Sequence, residues 1–379
     1  MTRNNALIFN ILAALAIGNI AYGMLTQLIP LAMNEEGDSK FLIGQNVMAG
    51  QAGVLLSGLT LAWLRQHFKS HLLVMGCLVL AFVGFSLFPF TTPVYSWFLI
   101  RFLIGITGAT IYTTGESWLQ ANTDDHARGR VMGIYMTCQS FAFAFGPFFI
   151  PWTGVAGWQP WAFCFVPVAI ALVLMQRVKV EEVATGQAPA GLWQTLRSGA
   201  FVFLAVGVVT FFDSFMLTFF DLFAKGNGYS DGAASTLLSF GIASCMVMFF
   251  PIGWLADHWS RRGTLAVCYG VALACALLLG LAIGTWAVWP LILVLRGTAF
   301  GGYLVAYALL GEKFKGTAMV AAASINSLLW GMAGIIGPPF AGFVFDRFGI
   351  WLLPWFLAAC FVPVLAVMAI ARARMPQAS

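Results

Sequence analysis

The sequence predicts an all-α integral membrane protein in which twelve transmembrane helices form two pseudo-symmetric six-helix bundles. Hydrophobic residues fill 60% of the 379 positions and charged residues only 9%, whereas a soluble domain carries about 25% charged residues. The apolar residues occur in long continuous runs, and landmarks of the first half recur in the second. This composition excludes a soluble enzyme. The net charge of +5, spread without a basic run, excludes a nucleic-acid binder.

Twelve segments are long and apolar enough to be transmembrane spans, each of which needs about 20 residues. With breaks placed at charges and at Gly/Pro clusters, they cover residues 6–33, 41–64, 72–90, 94–121, 130–153, 158–177, 199–223, 232–255, 264–284, 286–311, 317–343 and 350–371.

The distribution of Lys and Arg predicts that both termini are cytoplasmic, because cytoplasmic loops carry the excess of these residues. Fourteen lie at the ends predicted to be cytoplasmic, and three (Lys40, Lys225 and Arg347) lie outside. We therefore expect a multi-pass protein of the cell inner membrane.

The longest polar stretch divides the chain into an N-terminal bundle (1–177), a cytoplasmic linker (178–198) and a C-terminal bundle (199–379). Leu192, Trp193 and Leu196 at the end of the linker favour a short helix at the membrane surface, and a plain linker fits equally well.

The two halves repeat each other at a nearly constant offset of 191 to 196 residues. The matched landmarks are Gly58 with Gly253, Arg101 with Arg296, Gly115-Glu116 with Gly311-Glu312, and Gly146-Pro147 with Gly337-Pro338. Duplicated halves of this kind are typical of transporters.

Two segments carry a resemblance to a known family. Residues Gly253 to Arg262 (GWLADHWSRR) are similar to the loop signature G-x-x-x-D-x-x-G-R-R of the major facilitator superfamily, with Ser260 in place of the second glycine. Residues Arg101 to Gly108 (RFLIGITG) resemble its fourth-helix arginine motif. The resemblance implies a secondary transporter that works by alternating access, with spans one, four, seven and ten lining a cavity and five and eleven contributing.

The first-half copy of the loop signature departs from the family pattern, because Ala62, Gln66 and His67 replace its acid and its arginines. We therefore expect the cytoplasmic gate to depend on the second copy. Its residues are Gly253, Asp257, Arg261 and Arg262, with partners near Glu312 or Glu116. The alternative is that these charges only anchor loops at the interface.

Ionisable residues inside the bilayer are costly and therefore candidates for function. Asp213, near the centre of span seven, is the main candidate for proton coupling or substrate contact, with Glu116 and Asp221 as lesser ones. Asp221 has the alternative of facing outside water. Arg101 and Arg296 are candidates for substrate contact. The alternative for Arg101 is a structural or coupling role, and the alternative for Arg296 is that it caps a helix or contacts lipid head groups.

Polar side chains at helical spacing predict the rest of the site. The candidates are Asn19, Tyr22, Tyr112, Gln139, Ser214, Asn326 and Trp330. Some of them, such as Asn19 and Gln139, could instead join helices by hydrogen bonds.

The sequence contains no phosphate-binding glycine loop and no cluster of histidines and cysteines at membrane depth. We expect no cofactor, no metal and no enzymatic activity. The intramembrane charges and aromatic residues favour a small organic substrate that is anionic or aromatic, moved with protons by a monomer. The alternatives are a multidrug efflux pump and, in another class, a sensor that does not transport or a lipid-moving protein.

Overall fold

The computed structural model describes residues 3–91, 93–123, 125–178, 192–314 and 316–373, and these residues form helices and no strand. Twelve of the helices have 18 residues or more, and we number them α1 to α12. In chain order they are Arg3–Glu35, Lys40–His67, Ser70–Leu87, Pro93–Ala121, Asp125–Phe145, Gln159–Gln176, Ala200–Gly226, Asp231–His258, Arg261–Ala282, Val288–Lys313, Gly316–Phe348 and Leu353–Ala373. Each predicted span overlaps one of them.

Eleven of these helices are long and apolar enough to cross a membrane. The twelfth is α2, which is long enough at 28 residues but carries three amides, Gln45, Asn46 and Gln51, in its first half. Serine side chains begin two helices: Ser39 accepts a hydrogen bond from the Leu42 amide at the start of α2, and Ser260 accepts one from the Gly263 amide at the start of α9. Such N-caps satisfy a donor that the helix itself leaves unpaired.

The predicted fifth span is not one continuous helix. α5 ends at Phe145, and a 3-10 turn (Gly146–Phe149) and a four-residue helix (Ile150–Thr153) follow. Gly146 lies so close to α1 that a Cβ would be 2.2 Å from the Ile20 carbonyl oxygen. Pro147 also lacks the N–H that a continuing helix needs.

The contacts divide the chain into two compact units, residues 1–186 with 231–239 and residues 187–230 with 240–379. In the first unit, α1 packs on α4, α5 and α6, and α3 packs on α4 and α6. In the second, α7 packs on α10, α11 and α12, and α9 packs on α10 and α12. The helix pairs in the second unit correspond to those in the first, with each helix number increased by six. Of the predicted linker, residues 179–191 lie outside the described residues.

Glycines allow α2 and α4 to approach at backbone distance. A Cβ on Gly53 would be 2.1 Å from the Phe102 carbonyl oxygen, and one on Gly105 would be 2.0 Å from the Gly50 carbonyl oxygen. The related helices α8 and α10 also meet at glycines, since Gly241 lies against Arg296 and Gly297 lies against Met248. In both units, therefore, an intramembrane arginine lies at a close helix pair.

Candidate functional site

A buried ion pair joins α7 to α10 in the second unit. The Arg296 Nη2 donates to the Asp213 Oδ1 at 2.6 Å, and the two side chains are 3% and 8% exposed. The Nε and Nη1 of Arg296 are buried and have no hydrogen-bond partner among the described residues. The pair is therefore a single hydrogen bond that leaves part of the guanidinium available.

Arg101 is in a different situation, although it is the counterpart of Arg296 in the first unit. Its residue is 7% exposed, and its Nη1 is buried without a partner among the described residues. It lies against Gly50 of α2, where a Cβ would be 3.0 Å from the Arg101 Cγ. At the offset of 195, the position equivalent to Asp213 is Gly18, so the first unit has no carboxylate there.

Asn46 lies one helical turn before Gly50, on the face of α2 that packs against α4. It is fully buried, and neither its amide nitrogen nor its carbonyl oxygen has a hydrogen-bond partner among the described residues. An arginine side chain leans towards the N-terminal end of its helix. Because α2 and α4 run parallel there, this lean brings the Arg101 guanidinium towards the level of Asn46. Asn46 was not among the sequence candidates, although the three amides in one span were a signal that could have identified it.

The other first-unit candidates form two groups. Tyr22 packs edge-on against both Tyr112 and Phe85, with ring centroids 5.6 Å apart in each case, and the Tyr112 hydroxyl donates to the Leu15 carbonyl at 3.4 Å. Asn19 donates from Nδ2 to the Gln139 carbonyl at 2.9 Å. This bond joins α1 to α5.

A hydrogen-bonded aromatic cluster lies between α10 and α11. The Tyr303 hydroxyl donates to the Asn326 Oδ1 at 3.2 Å and accepts from the Trp330 Nε1 at 3.3 Å. Sequence reasoning proposed Asn326 and Trp330 but missed Tyr303, which lies seven residues after Arg296 and therefore on the same face of α10. Phe300 is also on that face, with the Arg296 Cζ 5.3 Å from its ring centroid.

Thr210, Asp213 and Ser214 follow one another within about one turn of α7, but they do not contact the same neighbouring helix. The Ser214 hydroxyl donates to the Ala333 carbonyl at 3.2 Å, and the Thr210 hydroxyl lies 3.4 Å from the Leu329 carbonyl. Both contacts join α7 to α11, whereas Asp213 points to α10. Asp221 is buried in this structure, at 3% exposed.

The loop motif of residues Gly253 to Arg262 forms an ion-pair chain in the second unit. Arg261 lies 3.4 Å from Asp257 and 2.8 Å from Glu312, at the end of α10. Arg262 lines a small cavity of about 270 Å³ with Glu312 and Lys313. Glu116 is half-buried in α4 and forms no ion pair with the described residues. A Cβ added at Gly253 would have no atom of the described residues within 4 Å. Among the described residues, no group of histidines, cysteines and acids is arranged to hold a metal ion.

Comparisons with known proteins give one consistent family. Residues 11–321 match the model of the Major Facilitator Superfamily. The chain is 25% identical over 283 residues to the uncharacterized MFS-type transporter YfkF of Bacillus subtilis (strain 168), covering 72% of this chain and 71% of YfkF. It is also 25% identical over 349 residues to the uncharacterized MFS-type transporter Ent638_1421 of Enterobacter sp. (strain 638), covering 89% and 88%.

Two solved structures share the fold at low sequence identity. The nucleoside transporter NupG matches with a TM-score of 0.79 at 14% identity, covering 98% of this chain and 100% of the other. A D-xylose–proton symporter matches with a TM-score of 0.70 at 17% identity, covering 95% and 97%.

Proposed function

The chain belongs to the major facilitator superfamily, and we propose that it is a proton-coupled secondary transporter that moves a small organic anion by alternating access. One observation carries this proposal: two repeat-related arginines are buried in the spans, and only Arg296 has a carboxylate partner among the described residues. A buried guanidinium without a counter-ion costs several kcal/mol in a membrane. Such a residue is explained most directly by a ligand that supplies the missing charge.

Arg101 is the proposed contact for the anion. The planar guanidinium presents donors in a fork that matches a carboxylate or a phosphate. Asn46 would add a donor and an acceptor for a second polar group of the solute. With Gly18 in place of a carboxylate, the charge of Arg101 has no counter-charge among the described residues, which favours an anionic solute over a neutral one.

Asp213 is the proposed proton site. A proton on Asp213 removes the negative charge that holds Arg296, and breaking a buried pair from one side costs about 3–5 kcal/mol. The arrangement of the spans would then shift towards a state that restores a partner for Arg296, whose Nε and Nη1 already have no partner in the described part of the chain. Protonation is in this way linked to conformation.

The cluster of Tyr303, Asn326 and Trp330 is the proposed surface for the organic part of the solute. It offers aromatic faces beside hydrogen-bonding groups, which suits a partly apolar or aromatic molecule. One of the solved neighbours is a D-xylose–proton symporter, and proton coupling in that protein supports the same mode of coupling here. The strict pairing of Asp213 with Arg296 favours this function over multidrug efflux.

The remaining parts of the proposal concern the gate and the topology. The chain of Asp257, Arg261 and Glu312 ties the start of α9 to the end of α10, and we assign it the role of a cytoplasmic latch that opens and closes during transport. The Lys and Arg bias supports cytoplasmic termini. The bacterial relatives support an inner-membrane location. A single chain contains both six-helix halves of the transport unit, which supports a monomer.

A thermal-stability screen tests the anion site. The detergent-purified protein is heated with aromatic and aliphatic carboxylates, and with their neutral methyl esters as matched ligands, at two pH values. A ligand at about a hundredfold excess over its Kd adds roughly 2.7 kcal/mol to the free energy of unfolding. We expect carboxylates, and not esters, to stabilise the wild type.

Three variants identify the residue responsible. Arg101→Gln should abolish the stabilisation by carboxylates. The control Arg347→Gln, which removes an exposed arginine at the end of α11, should retain that stabilisation. The Asp213→Asn variant should bind the carboxylate equally well at both pH values. Equal stabilisation by esters, or by hydrophobic cations in every variant, would contradict the anion site and support efflux instead.

A further inference from the structure

A long apolar groove runs along α7 in the second unit. Its cavity volume is about 830 Å³, and its lining includes Phe203, Phe211 and Phe215 of α7, Phe340 of α11, and Trp355 and Phe356 of α12. From Ala200 to Phe215 the groove follows about 22 Å of helix, at 1.5 Å per residue. This length covers most of the hydrocarbon core of a bilayer, which is about 30 Å thick.

The groove is separate from the proposed transport site. Residues of an α-helix are 100° apart around its axis, so Asp213 lies about 200° from Phe211 and on the other side of α7. Phe340 and Trp355 are 58% and 59% exposed on membrane-spanning helices. The groove therefore opens towards the side of the molecule where lipid chains lie.

Cationic groups lie at the end where α7 begins. Leu196, on the short helix Leu192–Ser198, lines the groove there. The neighbouring Arg197 places its Cζ 5.8 Å from the ring centroid of Trp193, which is 68% exposed. The Lys313 ammonium donates to the Ser198 carbonyl. Exposed Trp and Arg side chains on such a helix are typical of the interface between lipid chains and head groups.

We infer that this groove holds one acyl chain of an acidic phospholipid, with the phosphate of its head group at Arg197. The apolar lining offers an acyl chain dispersion contacts and offers a polar solute almost no hydrogen bonds. A head group cannot follow the chain along such a lining, so the groove anchors a lipid and does not move one. The charge at one end selects an anionic head group.

Two lipids with identical chains test the inference on the delipidated full-length protein. Phosphatidylglycerol and phosphatidylcholine are titrated in detergent, and bound lipid is measured by native mass spectrometry alongside the apparent unfolding temperature. One cationic side chain at an anionic head group gives roughly a fivefold preference in affinity. We expect that preference for phosphatidylglycerol, with a higher unfolding temperature.

Two pairs of variants separate the chain from the head group. Gly207 lines the groove, and a Cβ there would meet only the Leu329 side chain at 3.6 Å, so Gly207→Leu should fill the groove and abolish binding of both lipids. Gly270→Leu adds the same side chain where nothing lies within 4 Å and should leave binding intact. Arg197→Gln should remove the preference for phosphatidylglycerol while phosphatidylcholine still binds, and Arg347→Gln should keep it.

The inference is overturned if lipid binding survives Gly207→Leu, or if the head-group preference survives Arg197→Gln. It is also overturned if the hydrophobic cation tetraphenylphosphonium binds in the groove and neither lipid does. Should Gly207→Leu fail to fold, the Arg197 pair decides the question, because that side chain is at the surface. None of these outcomes depends on whether the anion site at Arg101 exists.

Discussion

Breaking the Asp213–Arg296 pair from one side should cost far more stability than removing both charges. The two side chains are 8% and 3% exposed and share one hydrogen bond of 2.6 Å, so solvent cannot take over the charge that is left behind. Asp213→Leu and Arg296→Met should each lower the free energy of unfolding by about 3–5 kcal/mol. The double variant should be close to the wild type, because apolar residues of similar volume replace a buried pair at little cost.

The exposed pair Arg261–Glu312 is the matched control for this cycle. Its side chains are 31% and 56% exposed, and exposed pairs contribute about 0–1 kcal/mol. Apparent unfolding temperatures of all single and double variants, measured in one detergent by intrinsic fluorescence, give the comparison. If the double variant at positions 213 and 296 is as unstable as the worse single variant, the two residues do not stabilise each other and the reasoning fails.

Contacts elsewhere in the chain give further expected outcomes. Gly105→Ala should lower the free energy of unfolding by about 1–3 kcal/mol or more, since its Cβ would be 2.0 Å from a carbonyl oxygen. Gly76→Ala, where a Cβ would meet no atom of the described part of the chain within 4 Å, should leave the unfolding temperature unchanged in the same assay. Trp330→Phe should lower the free energy of unfolding by about 1 kcal/mol because it removes the hydrogen bond to Tyr303. If Trp330→Phe causes the same loss in a variant that already carries Tyr303→Phe, the hydrogen bond is not the cause. Glu312→Gln should change melting by less than about 1 kcal/mol but alter the transport rate, and unchanged transport would remove the latch role.

Much of the architecture could be predicted from the sequence, because membrane helices are recognisable by their length and apolarity. The repeat-related arginines were also evident from the constant offset. Helix packing then places Arg101 against Gly50 and Arg296 against Gly241, in corresponding helix pairs. The sequence pattern therefore predicts which helix carries each of these residues.

The partners of those residues could not be predicted, because they depend on helix rotation. Asp213 and Arg296 are 83 residues apart, and the sequence listed Asp213 and Ser214 as candidates for the same site. In the structure Asp213 bonds to α10 and Ser214 to α11. Neighbouring positions point 100° apart around a helix, so Asp213 forms an ion pair with α10 while Ser214 forms a hydrogen bond to the backbone of α11.

The two Gly-Pro landmarks show a similar limit. Gly146-Pro147 ends α5, whereas Gly337-Pro338 lies within the continuous α11. A Cβ at Gly146 would lie 2.2 Å from the α1 backbone, while one at Gly337 would face side chains of α7 at 3.2 Å or more. The same dipeptide therefore has a different outcome because its neighbours differ.

The most direct test of proton coupling is proton movement in proteoliposomes. Once a carboxylate that stabilises the wild type is known, it is added to vesicles loaded with a pH-sensitive dye, and solute flux is followed in parallel with a radiolabel. Solute and proton should move together in the wild type. Asp213→Asn should bind the solute without moving protons, and Arg101→Gln should bind nothing. Proton movement that persists in Asp213→Asn would contradict the central claim.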